Sequence, residues 1–91
     1  MSYRIIITED AVADIAAYKK SDTQSFKKVQ AFLAELKDHP KTGTGQPERL
    51  KYKKGEIWSR RINKKDRLVY EVEDETVTVT VLSASDHYSD K

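Results

Sequence analysis

An α+β fold follows from three features of these 91 residues: a short β-branched run near the start, two successive helical patterns, and a switch to period-two alternation after a loop. The resulting order, βααββββ, separates the helices from a run of consecutive strands. That segregation predicts an antiparallel sheet with the helical pair on one face, not a parallel doubly wound sheet. The chain has the length of one domain, residues 1–91, and is small enough for a stabilising partner to matter.

Tyr3 to Ile7 is short and β-branched and is bounded by Thr8, which predicts a strand. Thr8 is placed to cap a helix, with Glu9 and Asp10 in its first turn where the helix dipole favours anions. Val12, Ile15, Ala16 and Lys19 follow at helical spacing, and this helix should end near Ser21. Asp22 then caps a second helix, in which Phe26, Val29, Leu33 and Leu36 recur at three- and four-residue steps, with Phe32 beside that stripe. Before a proline the α region is disfavoured, so the helix should stop by His39-Pro40. Lys41-Thr42-Gly43-Thr44-Gly45-Gln46-Pro47 reads as a loop.

Strands are expected at Ile57 to Asn63, Asp66 to Glu73 and Thr76 to Ala84, and Arg49 to Tyr52 is long enough for a shorter one. Glu73-Asp74-Glu75 should turn the last pair. If Trp58, Ile62, Leu68, Tyr70 and Val72 face the core, Arg61 and Arg67 emerge on the outer face. A two-residue turn of Lys64 and Lys65 would set Arg61 opposite Leu68 and mix the two faces, so a three-residue turn is expected. Strict alternation from an inward Leu50 would send Glu48 inward, and continued valine alternation would do the same to His87. Pairing should therefore bulge or end at both places.

The chain has no cysteine, which excludes disulfides and thiolate metal sites and fits a reducing compartment, the cytoplasm. The apolar run at the N-terminus is too short for a signal h-region or a membrane span. A net charge of +2 and a pI of about 8.8 say little by themselves about nucleic acid. Their distribution says more. Glu48 to Arg67 holds nine lysines and arginines against three acids, a local charge of +6, while Glu71, Glu73, Asp74 and Glu75 supply much of the compensating negative charge. Such polarity suits a polyanion.

Arg61 and Arg67, joined by Lys51, would present guanidinium forks that match phosphate oxygens, although exposed arginines more often pair with nearby carboxylates. Glu48 stands at the entrance to this basic window, and His87 lies just past the valine strand with a side chain able to move protons near neutral pH. His39, in the last helical turn before a proline, is expected to be structural. A carboxylate, two arginines and a histidine suffice to cleave RNA without a metal or other cofactor. One group takes the 2′-hydroxyl proton, cations stabilise the phosphorane, and another group protonates the leaving 5′-oxygen. The products are a 2′,3′-cyclic phosphate and a 5′-hydroxyl, and DNA would survive for want of the 2′-hydroxyl.

Four ordered blocks, Pro47-Glu48-Arg49-Leu50-Lys51, Trp58-Ser59-Arg60-Arg61-Ile62, Arg67-Leu68-Val69-Tyr70 and His87-Tyr88, resemble the YoeB/Txe family of type II toxin–antitoxin toxins within the RelE/ParE superfamily. The resemblance implies a RelE-like, microbial-ribonuclease-like fold and cleavage of mRNA on the ribosome. It implies Glu48 as general base, Arg67 as phosphate-stabilising cation and His87 as general acid, with Lys51, Arg61 and Tyr88 in support. Arg49 and Arg60, from the same basic window, are expected to add RNA contacts. The implied partners are a YefM-like antitoxin, the ribosome with its message, operator DNA only through the toxin–antitoxin complex, and a second copy in a homodimer. No membrane is implied. Members of the family commonly end at the His-Tyr pair, whereas here Ser89-Asp90-Lys91 follow as an expected flexible tail. Two other readings compete: a ParE-like toxin that poisons gyrase by contact, and a catalytically weak homologue serving operon regulation.

Overall fold

In a computed structural model, which describes residues 2–52 and 55–85, the expected order is present: β1 (Arg4–Ile7), α1 (Glu9–Ser21), α2 (Thr23–Leu36), β2 (Glu48–Tyr52), β3 (Glu56–Arg61), β4 (Arg67–Glu73) and β5 (Thr78–Ser85). The five strands form one sheet ordered β1-β5-β4-β3-β2. Strands β2 to β5 are an antiparallel meander, as expected. β1 departs from that pattern by lying parallel to β5, with Ile5 beside Val79 and Ile7 beside Val81. The helical hairpin carries the chain from β1 at one edge of the sheet to β2 at the other, and the meander then returns β5 to the side of β1.

Both helices start where the caps predict. The Thr8 hydroxyl accepts from the Ala11 N–H, and the Asp22 carboxylate accepts from the Ser25 N–H. The buried stripe of α2 runs through Ser25, Val29, Phe32 and Leu36, so Phe32 belongs to its centre, while Phe26 and Leu33 lie at its margins. In α1 the inward face is Ala11, Ile15 and Tyr18 instead of Val12, Ala16 and Lys19, and Val12 is 52% exposed. Polar contacts with β5 set this rotation. Tyr18 donates to the Ala84 carbonyl at 2.7 Å, and the Asp14 carboxylate accepts from the Ala84 N–H at 3.0 Å. Ala11 is small enough to let the helix lie close to the sheet.

The core between helices and sheet joins Val29, Phe32 and Leu36 to Leu68, Tyr70, Val72, Val79 and Val81. Arg61 pairs with Arg67, and the Ile62 N–H donates to the Asp66 carbonyl at 3.0 Å, so Asn63-Lys64-Lys65 is the expected three-residue turn. The irregularity expected near Glu48 is present, and a second one interrupts the valine alternation within β5, while His87 itself lies outside the described residues. Arg49 pairs with Trp58 and Lys51 with Ile57, leaving Leu50 as the extra residue, and Val69 pairs with Ser83 while Tyr70 pairs with Val81, leaving Leu82. Thr76 and Val77 belong to the preceding turn and not to β5; Val77 adopts φ +51° while its carbonyl accepts from the Arg4 N–H at 2.9 Å.

Arg60 was expected among the RNA contacts, and the structure overturns that. It shares the inward face with Trp58 and Ile62 and is wholly buried. Its Nη2 donates to the carbonyls of His39 and Thr42 at 2.7 and 2.8 Å, its Nη1 to Glu35 and to the Thr44 carbonyl, and its Nε to the Tyr70 hydroxyl at 3.0 Å. Tyr70 in turn donates to the Pro40 carbonyl at 2.7 Å. The guanidinium also lies over the Phe32 and Tyr70 rings, 5.7 and 5.8 Å from their centroids. The segment after α2 is thus folded around one cation. Gly45 is needed there because its φ is +81° and a Cβ would stand 2.5 Å from the Phe32 ring. A second anchor is Lys41, which bridges Glu56 at 3.0 Å and Asp74 at 2.7 Å.

Arg60→Met should destabilise the protein by at least about 3 kcal/mol, because it leaves the Glu35 carboxylate and several loop carbonyls without their donor. Urea denaturation measures this, and a loss under about 1 kcal/mol, the size of an ordinary exposed pair, would refute the anchoring role.

Acid should also weaken the fold. Burial works to raise Glu35, but hydrogen bonds from the Thr44 N–H, the Arg60 guanidinium and the Thr44 hydroxyl outweigh it and leave the carboxyl below its usual range. Lys41 lowers both Glu56 and Asp74, and the Ser25 hydroxyl lowers Asp22. Each folded carboxyl therefore titrates below its unfolded counterpart, so its stabilisation is complete above the unfolded value and is lost as pH falls through the folded one. The urea midpoint is expected to hold level down to about pH 5 and to drop steeply below about pH 4. An unchanged midpoint at about pH 3 would contradict this.

Candidate active site

The outer face of the sheet, opposite the helices, carries two adjacent rows of side chains. One row is Arg61, Arg67 and Ser85 across β3, β4 and β5; the next is Glu48, Ser59, Val69 and Ser83 across β2 to β5. The two bulges make this arrangement possible. The extra residue at Leu50 leaves Glu48 on the outer face, and the extra residue at Leu82 turns Ser83 and Ser85 outward although Val79 and Val81 point to the core.

Glu48, Arg61 and Arg67 come together around a cleft of about 270 Å³ whose lining also includes Gln46, Pro47 and Ser59. Arg67 Nη1 lies 3.5 Å from Glu48 Oε1, and both side chains are well exposed, 46% and 65%. An ion pair this long and this wet adds little to stability. Arg61 and Arg67 are directly opposite each other on neighbouring strands, a like-charge placement that works against the sheet. Ser59 forms the buried floor. One wall is the end of the loop wrapped on Arg60, tied to β3 where the Arg61 N–H donates to the Gly45 carbonyl at 2.7 Å.

Of the other residues singled out by sequence, Arg49 takes the alternate position opposite Trp58, on the side away from Glu48. The backbone of Lys51 pairs with Ile57 in β2, but its side chain lies outside the described residues, as do Lys53, Lys54, His87, Tyr88 and the 89–91 tail. Arg60 is removed from the surface altogether, while its burial supports the wall of the cleft. Ser59 was legible as sharing the face of Arg61 by period-two spacing. Gln46 and Pro47 gave no periodic signal, because a loop has none.

This arrangement joins a carboxylate to two cations on an exposed surface. Residues 7–88 match the model of the YoeB-like toxin of bacterial type II toxin-antitoxin systems. Toxin YoeB of Escherichia coli (strain K12) is 32% identical over 76 residues, covering 84% of this chain and 90% of that protein. The YoeB dimer from Staphylococcus aureus superposes with a TM-score of 0.78 at 31% identity, covering 97% of this chain and 100% of that one. The toxin in the heterotetrameric YoeB-YefM complex of the same organism gives a TM-score of 0.76 at 30% identity with the same coverage. The chain therefore belongs to the YoeB-like toxins of bacterial type II toxin–antitoxin systems.

Proposed function

We propose that this toxin is a ribosome-dependent mRNA endoribonuclease that works without a metal, and that the cleft between Glu48 and the paired arginines is where it cuts. The observation that carries the reading is the placement of Arg61 directly opposite Arg67, with Glu48 3.5 Å from the latter. Two adjacent guanidiniums repel each other until an anion sits between them, and a phosphodiester is such an anion.

In this reading Glu48 takes the proton from a 2′-hydroxyl and the freed oxygen attacks the adjacent phosphorus. Arg67 and Arg61 neutralise the charge that builds on the phosphorane oxygens, which is where fixed cations accelerate such a step most. The bond from phosphorus to the 5′-oxygen breaks, and that oxygen takes a proton from His87. The role proposed for His87 rests on the resemblance of the His87-Tyr88 block to the family, since that residue lies outside the described ones. Lys51 and Tyr88 are proposed to steady the strand, and Arg49 to add diffuse attraction. The products are a 2′,3′-cyclic phosphate and a 5′-hydroxyl.

A ribosome requirement follows from how little the cleft encloses. Glu48 is mostly exposed, and a carboxylate is a weak base toward a 2′-hydroxyl. Free RNA seldom holds its 2′-oxygen, phosphorus and 5′-oxygen in line. A message already ordered in the decoding centre does, and orientation of that kind is worth about 7 to 11 kcal/mol in well-ordered systems. The basic window from Glu48 to Arg67 suits docking on ribosomal RNA. The site of action is then the cytoplasm. The proposed partners are a YefM-like antitoxin and a second toxin copy, as in the two Staphylococcus aureus assemblies, with operator DNA reached only through the antitoxin complex.

Primer extension on a translated message tests the reading. Cuts should be fast with ribosomes and slow on naked RNA, and a 2′-deoxy substitution at the scissile nucleotide should abolish them. Cleavage of the deoxy substrate would sink the mechanism, equal rates on free and ribosome-bound message would sink the docking argument, and inhibition of gyrase supercoiling without any cut would favour the ParE-like alternative.

Substitutions separate the roles. His87→Gln should lower the cleavage rate about 10²- to 10⁴-fold in a folded protein, as expected for loss of a general acid. Arg67→Ala should be far more damaging than Lys53→Ala or Lys54→Ala, whose effects added salt should imitate. If the lysine variants proved equally damaging, the phosphate site would lie elsewhere.

A further inference from the structure

Gln46 lines the cleft beside Glu48, Arg61 and Arg67 and is its uncharged hydrogen-bonding amide. Its backbone is the unusual feature. It adopts φ +53°, a left-handed conformation that side chains other than Gly, Asn and Asp rarely occupy and that costs strain. Gly43 and Gly45, in the same loop, show how such a backbone is carried without that penalty. A glutamine at 46 therefore keeps a side chain where glycine would fit the backbone better. That side chain is exposed, and its amide has no hydrogen-bond partner among the described residues.

The surroundings make the placement rigid. On one side the Gly45 carbonyl accepts from the Arg61 N–H at 2.7 Å, and the preceding carbonyls of Thr42 and Thr44 are held by buried Arg60. On the other side Pro47 restricts the chain and leads directly into β2 at Glu48. The amide reaches the cleft on a backbone pinned before and after it, which is the condition for discriminating between ligands rather than adapting to them.

Charged neighbours already meet the charged parts of a bound RNA strand. A carboxamide carries two donors and one acceptor with no net charge, the complement of a nucleobase edge and a poor match for a phosphate. None of the cleft's described lining residues is aromatic, and with both arginines facing the phosphate the Gln46 amide is the group at this wall suited to a base edge. From this we infer that Gln46 is a specificity residue, hydrogen-bonding the edge of a nucleobase next to the scissile phosphate. The inference rests on the proposed cleavage of RNA and adds what selects the cut.

The test uses messages that differ only in the base beside the cut, assayed on ribosomes with wild type, Gln46→Gly and Gln46→Asn. In parallel, the 2′-deoxy versions of short oligonucleotides are bound to each protein alone. Gln46→Gly relaxes the backbone, so it should melt no lower than wild type and remain a fair probe. Wild type should prefer its best base over its worst by about 5- to 100-fold in kcat/KM, and Gln46→Gly should compress that ratio to near unity. Gln46→Asn, which tolerates the left-handed backbone but is one methylene shorter, should retain part of it. A preference kept intact in folded Gln46→Gly would overturn the inference while leaving RNA cleavage standing. Absence of cleavage by wild type would overturn the proposed function, and the binding arm would then decide for Gln46 alone: base-dependent affinity lost in Gln46→Gly supports it, and base-independent affinity refutes it.

Discussion

A guanidinium taken out of water must find an acceptor for each of its N–H groups, and in this protein that requirement at Arg60 dictates the path of the chain from α2 to β2. The acceptors are the Glu35 carboxylate, the Tyr70 hydroxyl and three backbone carbonyls of the connecting loop. Backbone carbonyls in a loop have no ladder to satisfy them, so cation and loop supply what each other lacks. The Phe32 and Tyr70 rings exclude water around the charge and strengthen these bonds. With Gly45 then tied to Arg61, the chain enters β2 in the register that sets Glu48 opposite Ser59.

From that register the site follows by strand geometry. Neighbouring strands lie about 4.8 Å apart, so residues in register across three strands converge over roughly 10 Å, close to the span of one nucleotide and its flanking phosphates. Two extra residues, Leu50 and Leu82, correct the alternation at the two ends of the meander. Bulges of this kind re-aim side chains next to functional sites. They let valines pack against the helices in the first half of β5 while serines face the arginines in the second half. The like-charge pair of Arg61 and Arg67 is a local conflict with sheet stability, of the sort that persists where a ligand resolves it.

Much of this was legible in the sequence because periodicity and capping are local physics. The cap residues Thr8 and Asp22, the strand faces of Arg61 and Arg67, the three-residue turn and the need for irregular pairing near Glu48 all follow from spacing alone. The rotation of α1 did not, since Ala11 and Val12 are both apolar and the choice between them is made by Asp14 and Tyr18 reaching Ala84. The parallel pairing of β1 with β5 depends on contacts more than seventy residues apart in the chain. Arg60 was misleading for a different reason. Its parity with Trp58 and Ile62 pointed inward, but its membership in a basic cluster suggested RNA, and only the loop carbonyls that enclose it reveal which signal governs. Nothing periodic marks Gln46, whose backbone angle is a consequence of the folded loop.

The chemical step proposed for this cleft is attack by a ribose hydroxyl on its own phosphate, and the charge polarity, the paired arginines and the neighbouring carboxylate are what support it. The nature of the new ends reports that step more directly than any rate. Fragments released from a translated message would be labelled by a polynucleotide kinase with and without prior phosphatase treatment, and their 3′ ends weighed by mass spectrometry. The account predicts 5′-hydroxyl ends that accept label without phosphatase and 3′ ends carrying a 2′,3′-cyclic phosphate. Fragments with 5′-phosphate and 3′-hydroxyl ends would show that water, not the 2′-oxygen, is the nucleophile, and would contradict it.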